Sequence, residues 1–70
     1  MRISARNDLP GTITRIERGV LNAEVTLQLE GGYEITAVIT LHSVERLGLE
    51  VGKSAHAIIK ASDVLIGVDD

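Results

Sequence analysis

The 70-residue chain has a net charge of -3, no cysteine and only one aromatic residue, although 44% of its residues are hydrophobic. Disulfides and thiolate-bound metals are therefore excluded, and two histidines are too few for a histidine-built metal site within one chain. A domain of this length buries only about 60% of the surface that its unfolded form exposes. Small scaffolds usually need a further source of stability, so we expect residues 1–70 to form one domain that associates with other copies of itself.

The charge and the composition also narrow the range of partners and activities. Domains that bind nucleic acids usually present basic and aromatic side chains, which this chain lacks in quantity. The chain has no run of 18 apolar residues that could span a membrane, and its N-terminus lacks the apolar region of a signal peptide. We therefore predict a cytoplasmic protein with no nucleic-acid or membrane partner. No Ser–His–acid set and no cysteine nucleophile is present, so we predict that it is not an enzyme.

Alternation of apolar and polar residues, which is typical of half-buried strands, covers most of the chain. In chain order, the predicted strands span residues 12–17, 23–30, 33–41, 54–60 and 64–68, with residues 3–6 as a candidate for one more. Gly31 and Gly32 predict a two-residue hairpin turn between the second and third strands. Ser43 is a candidate cap for one helical turn at residues 44–47, which Gly48 would end.

The order of these elements predicts the fold class. Five strands, with one short helical turn between the third and the fourth, predict an all-β domain, a five-stranded Greek-key barrel of the OB type. An SH3-like barrel has the same number of strands, but the helical turn before the fourth strand favours the OB type.

Two short segments interrupt the strand pattern and combine a cation, a serine hydroxyl and a small residue: Ser4-Ala5-Arg6-Asn7 and Lys60-Ala61-Ser62. Together they supply guanidinium, ammonium, hydroxyl and main-chain N–H donors. The oxygens of a tetrahedral dianion are acceptors only, so a site of this kind suits an oxyanion.

Structural roles for the same residues remain open on composition alone. Arg6 could pair with a surface acid, Lys60 could protect a sheet edge, and Ser62 could cap a turn. His42 lies at a strand-to-helix junction, where a partly exposed structural role competes with a ligand role. His56 shares the solvent-facing side of its predicted strand, so a solvent or interface role is favoured over metal binding.

Longer motifs, in order along nearly the whole chain, resemble the Mop domain. They occupy residues 1–7 (Met-Arg-Ile-Ser-Ala-Arg-Asn), 19–25 (Gly-Val-Leu-Asn-Ala-Glu-Val), 36–40 (Thr-Ala-Val-Ile-Thr), 47–49 (Leu-Gly-Leu) and 60–62 (Lys-Ala-Ser). The chain is similar to the molbindins, which are free-standing single Mop domains. The resemblance implies an OB-type barrel that binds and stores or buffers molybdate or tungstate, without an organic cofactor or a metal bound as a cation. It also implies a homohexamer built as a trimer of dimers.

The resemblance implies two classes of site between subunits. In the first class, one subunit supplies the Ser-Ala-Arg-Asn segment and another supplies the Lys-Ala-Ser segment. The implied oxyanion ligands are Ser4, Ala5 (main chain), Arg6, Lys60, Ala61 (main chain) and Ser62. Candidates for the second class, near three-fold axes, are Val20, Asn22 and His42. Asp63 follows the first set directly, and its negative charge would weaken the binding of a dianion. A nucleic-acid-binding OB module and a ligand-sensing regulatory module remain the alternatives.

Overall fold

Four antiparallel strands and one short helix make up the structure, a computed structural model that describes residues 1–70. The strands are β1 (Asn7–Arg18), β2 (Asn22–Leu29), β3 (Glu34–Thr40) and β4 (Ser54–Ile59). Helix α1 (Leu41–Leu47) connects β3 to β4, and a 3₁₀ turn (Ala61–Asp63) follows β4. The strands form one sheet in the order β3-β2-β1-β4. The first strand therefore lies between the second and the last.

The all-β class and the single short helix are confirmed, but the prediction of five strands is wrong. Residues 64–68 form no strand, although Val64 has an extended backbone (φ −90°, ψ 126°). Residues 3–6 form none either. A strand requires a neighbour for its N–H and C=O groups, and no free edge of the sheet receives either segment. An apolar alternating pattern alone therefore does not make a strand.

The longest strand, β1, has 12 residues and pairs with two neighbours in succession. Its first half pairs with β4 and its second half with β2, the two halves overlapping at Gly11 and Thr12. Pro10 and Gly11 lie between the candidate strand at 3–6 and the predicted strand at 12–17, but β1 continues through both. Pro10 pairs only on the β4 side, and a Cβ atom on Gly11 would lie 2.7 Å from the carbonyl oxygen of Gln28. Glycine is present here because the β2 backbone approaches closely.

A β-bulge in β1 explains why its apolar pattern is irregular. Ile13 pairs with Leu27 and Arg15 pairs with Thr26, so Thr14 is an extra residue on the β1 side. One extra residue shifts the alternation of side chains by one position. Ile13 and Ile16, which are three residues apart, therefore both face the core instead of opposite sides of the sheet.

The core lies on the inner face of the sheet and under the helix. Its five buried residues are Ile13, Ala23, Val25, Leu27 and Val44. The alternation in β2 corresponds to one buried face, since three of these residues alternate along it and Leu29 packs against them. Val44 is the only buried residue of α1 and covers this face from one side. Five buried side chains are few even for a small domain.

The boundaries of α1 and of the hairpin differ slightly from those predicted. The helix begins one turn earlier, because the hydroxyl of Thr40, not that of Ser43, caps it by accepting the N–H of Ser43 at 3.0 Å. Gly48 ends it as predicted, with a left-handed backbone (φ 62°). The hairpin has three loop residues instead of two, since the Leu29 N–H bonds to the carbonyl of Tyr33. With seven residues, α1 falls far below the length that a membrane-spanning helix needs.

Candidate anion-binding site

The pairing of β1 with β4 brings the two donor segments side by side. Asn7 pairs with Ile59 at the end of this ladder, and the Asn7 side-chain amide donates to the Ile59 carbonyl at 3.2 Å. The antiparallel register, continued past this pair, sets Arg6 opposite Lys60. Ala61 and Ser62 follow Lys60 in the 3₁₀ turn, beyond the end of the ladder. Segments that are more than fifty residues apart in sequence therefore meet at one end of the sheet.

All six residues that the sequence singles out line one open depression of about 320 Å³. We call it the donor depression, and its lining consists of Ser4, Ala5, Arg6, Lys60, Ala61 and Ser62. None of these residues is a carboxylate. Asp63 comes next in the chain, in the 3₁₀ turn, but it is not part of the lining.

The two cations of the donor depression have no acidic partner. Arg15 forms an ion pair with Glu17, and His56 is hydrogen-bonded to Asp8; neither contact includes Arg6 or Lys60. Two cations that line one depression repel each other unless another charge offsets them. An anion between the two side chains would supply that charge.

The remaining donors of the depression are also available. The hydroxyls of Ser4 and Ser62 make no hydrogen bond within the chain. The 3₁₀ turn uses the N–H groups of Asp63 and Val64, which donate to the carbonyls of Lys60 and Ala61 at 2.9 and 3.3 Å. The N–H groups at the beginning of the turn have no carbonyl partner in the chain. The depression therefore presents hydrogen-bond donors, two of them charged, to a ligand that can only accept.

The donor depression is formed by two segments of the same chain. The resemblance implies that the two segments of one site come from different subunits. Here the Arg6 and Lys60 segments of one chain are already adjacent, because β1 pairs with β4. The contribution of a second subunit to this site stays a prediction.

The three candidates for a second site lie at the other end of β1, and one of them lines a depression there. Asn22 borders an open depression of about 260 Å³, which we call the glutamate depression. Its other lining residues are Glu17, Arg18, Gly19, Ala23, Glu24 and Val38. Val20 is 93% exposed and His42 is exposed at the start of α1, and neither lines this depression. A hydrogen bond from the Leu41 N–H to the Leu21 carbonyl (2.9 Å) holds the helix beside the turn that carries Val20.

Sequence reasoning missed two polar features near these sites. Glu17 and Glu24 are paired across β1 and β2 at the glutamate depression. This pair follows from the strand register, but the bulge at Thr14 shifts the register by one residue, so the sequence pattern does not reveal it. The second feature is the hydrogen bond between His56 and Asp8. It can be predicted only when the pairing of β1 with β4 is known. No group of three or more histidine, cysteine or acidic side chains is arranged to hold a metal ion.

Comparison with known proteins connects this arrangement to a family. The TOBE domain model matches residues 3–66. The chain is 48% identical over 69 residues to the probable molybdenum-pterin-binding protein of Haemophilus influenzae, covering 99% of this chain and all of that protein. It is 48% identical over 66 residues to molybdenum-pterin-binding protein 1 of Clostridium pasteurianum, covering 94% and 97% of the two chains.

Solved structures give the same result. MopII of Clostridium pasteurianum superposes with a TM-score of 0.91 at 45% identity, covering 96% of this chain and all of the other. The cytoplasmic molybdate-binding protein ModG, in a form with molybdate bound, superposes with a TM-score of 0.94 at 56% identity. This chain is covered to 99% in that superposition but spans only 49% of the ModG chain.

Proposed function

The chain belongs to the TOBE-domain family, among its molbindin members, and from this membership we propose that it binds molybdate in the donor depression. The family is one of binding proteins, so the chain is not an enzyme. The observation that carries the proposal is the lining of the donor depression, in which Arg6 and Lys60 lie together without a carboxylate. The molybdate-bound form of ModG supports the choice of anion.

The proposed complex uses direct hydrogen bonds and charge, with no chemical change in the anion. Arg6 donates two N–H groups to two oxygens, and Lys60 adds a compact positive charge. The hydroxyls of Ser4 and Ser62 and the N–H groups of Ala5 and Ala61 complete the set of donors. Hydrogen bonds of this kind, to charged partners, contribute about 1.5–3 kcal/mol each. Binding is therefore reversible and suits storage or buffering of molybdate in the cytoplasm. Tungstate, with the same charge and shape, is a second ligand of the same site.

We propose Val20, Asn22 and His42 as members of a second class of site that forms between subunits. A single chain leaves Val20 almost fully exposed, and the glutamates beside Asn22 disfavour an anion. Donors from further subunits are therefore required before this end of the chain can hold one.

We also propose that the protein is a homohexamer, a trimer of dimers. Its support is the large number of exposed apolar side chains, of which the most exposed are Val20 (93%), Leu65 (91%), Ile66 (88%) and Val68 (84%). Soluble monomers rarely expose apolar surface in this way unless it forms an interface. Contact with another copy would bury residues 64–68 and give this segment the strand partner that one chain lacks. The OB-type barrel would then be completed in the assembly.

Calorimetric titration with molybdate tests the binding function. The unaltered protein should bind molybdate, while Lys60→Ala should bind it about tenfold or more weakly, because one charged donor is lost. Lys53→Ala is the matched control, since the Lys53 ammonium donates to the Gly48 carbonyl at 2.8 Å, away from the depression. Its affinity should equal that of the unaltered protein. Absence of heat in the unaltered protein would refute the function, and equal affinity in Lys60→Ala would refute the site.

Native mass spectrometry tests the assembly. The unaltered protein should give a hexamer that carries bound molybdate, and Ile66→Asp should shift it towards smaller species. Val51→Asp changes a residue that is 64% exposed outside the C-terminal segment and serves as the control. A monomer at every concentration would refute the proposed assembly.

A further inference from the structure

Asp8 lies between three basic side chains and is bonded to only one of them. It pairs in register with Ile58, so His56 occupies a diagonal position on β4, and Lys60, the first residue after β4, follows two residues beyond Ile58. Arg6 lies two residues before Asp8, immediately ahead of β1. Diagonal neighbours in an antiparallel pair are about 7–8 Å apart, within reach of long side chains. The register alone therefore allows the Asp8 carboxylate to pair with His56, with Lys60 or with Arg6.

The structure selects His56. Its Nδ1 atom lies 2.7 Å from Oδ1 of Asp8. An ionised carboxylate only accepts hydrogen bonds, so Nδ1 carries the hydrogen and donates. The two side chains are 50% and 39% exposed, on the outer side of the β1–β4 pair. Lys60 and Arg6 are left without a carboxylate partner.

We propose that His56 is a positioning residue for the donor depression: it holds the Asp8 carboxylate away from Lys60 and Arg6, which stay available for the oxyanion. The inference rests on the proposed molybdate function. A carboxylate and an oxyanion compete for the same donors. A carboxylate tethered one or two residues away competes at an effective concentration in the millimolar range or above. His56 removes this competitor without itself contacting the ligand.

A double-mutant cycle with molybdate titration tests the role of His56. In His56→Ala the carboxylate is free to turn to Lys60 or Arg6, so molybdate should bind about two- to fivefold more weakly, as expected for an exposed ion pair. Asp8→Asn removes the competing charge and should bind at least as tightly as the unaltered protein. The double variant His56→Ala with Asp8→Asn should regain the affinity of Asp8→Asn alone.

A conservative variant separates this role from a purely structural one. His56→Asn retains a donor near the position of Nδ1 and should keep most of the affinity. If His56 only stabilised the β1–β4 pair, Asp8→Asn would weaken binding as much as His56→Ala, and the double variant would not recover. Urea unfolding of all variants measures any shared loss of stability.

The outcomes distinguish the role of His56 from the proposed binding of molybdate. Failure of the unaltered protein to bind molybdate would overturn both. Tight binding by the unaltered protein together with equal affinity in His56→Ala, or a weak double variant, would overturn the role of His56 alone.

Discussion

The two depressions at opposite ends of β1 have similar sizes and different electrostatics. The donor depression holds about 320 Å³ and the glutamate depression about 260 Å³, so size does not separate them. The donor depression contains two cations and no carboxylate, whereas the glutamate depression contains one cation, Arg18, with Glu17 and Glu24. In one chain, only the donor depression is therefore suited to a dianion.

The pairing of arginines shows the same contrast. Arg15 is bonded to Glu17 two residues along the same strand, which leaves it little to offer a ligand. Arg6 has no such partner, and Asp8, two residues further along the chain, is bonded to His56. The two arginines have the same side chain, so their availability to a ligand depends on whether a nearby carboxylate is bonded to them or to another residue.

The largest effect is expected from removal of the arginine at the donor depression. Arg6→Ala should weaken molybdate binding by about 100-fold or more, because two charged hydrogen bonds of about 1.5–3 kcal/mol each are lost. Arg15→Ala, at the other end of β1, should leave the affinity within twofold of the original. Calorimetric titration of both variants measures the difference. Equal losses in the two variants would mean that net charge, not the site, governs binding.

A change at the centre of β1 should weaken the fold that connects the two ends. Gly11→Ala places a Cβ atom 2.7 Å from the Gln28 carbonyl oxygen, so we expect a loss of about 1–3 kcal/mol in the free energy of unfolding. Gly67→Ala meets no atom within 4 Å and should change it by less than about 0.5 kcal/mol. Urea unfolding monitored by circular dichroism compares the two variants. An unchanged Gly11→Ala variant would contradict the close approach of β2.

A smaller effect is expected at the glutamate depression. Asn22→Ala removes one neutral hydrogen-bonding side chain, so the second class of bound molybdate should weaken by about two- to tenfold. The affinity of the donor depression should stay the same, because it lies at the far end of β1. Native mass spectrometry across a molybdate series counts the anions in each class. If Asn22→Ala also lost the anions bound in the donor depression, the sites at the two ends of β1 would not be independent.

The smallest effect concerns the acid beside the donor depression. Asp63→Asn removes a negative charge that adjoins Ser62 without lining the depression, and should tighten molybdate binding by about two- to threefold. Asp70→Asn, at the C-terminus, makes the same chemical change at a distance and should have no effect. Titration at low ionic strength resolves the difference, which salt should reduce. Weaker binding in Asp63→Asn would contradict the electrostatic explanation.

Local patterns in the sequence predicted the parts of the fold that depend on nearest neighbours. The alternation of β2 correctly predicted its buried face, and Gly48 correctly predicted the end of α1. The bulge at Thr14 and the continuation of β1 through Pro10 were not predicted, because both depend on which strand lies alongside. Residues 64–68 have the composition of a strand but no partner in the chain, and composition does not supply one.

The six residues of the candidate site could be identified from the sequence because their side-chain types and motifs are local properties of two short segments. The tertiary structure decided that these six residues line one depression and that no carboxylate side chain lines it with them. Only the pairing of β1 with β4 brings Arg6 and Lys60 together. The pairing of Asp8 with His56 was decided in the same way, by a contact across 48 residues of sequence. Hydrogen-bonding capacity is a property of each residue, but its availability depends on the partners that folding brings within about 3 Å.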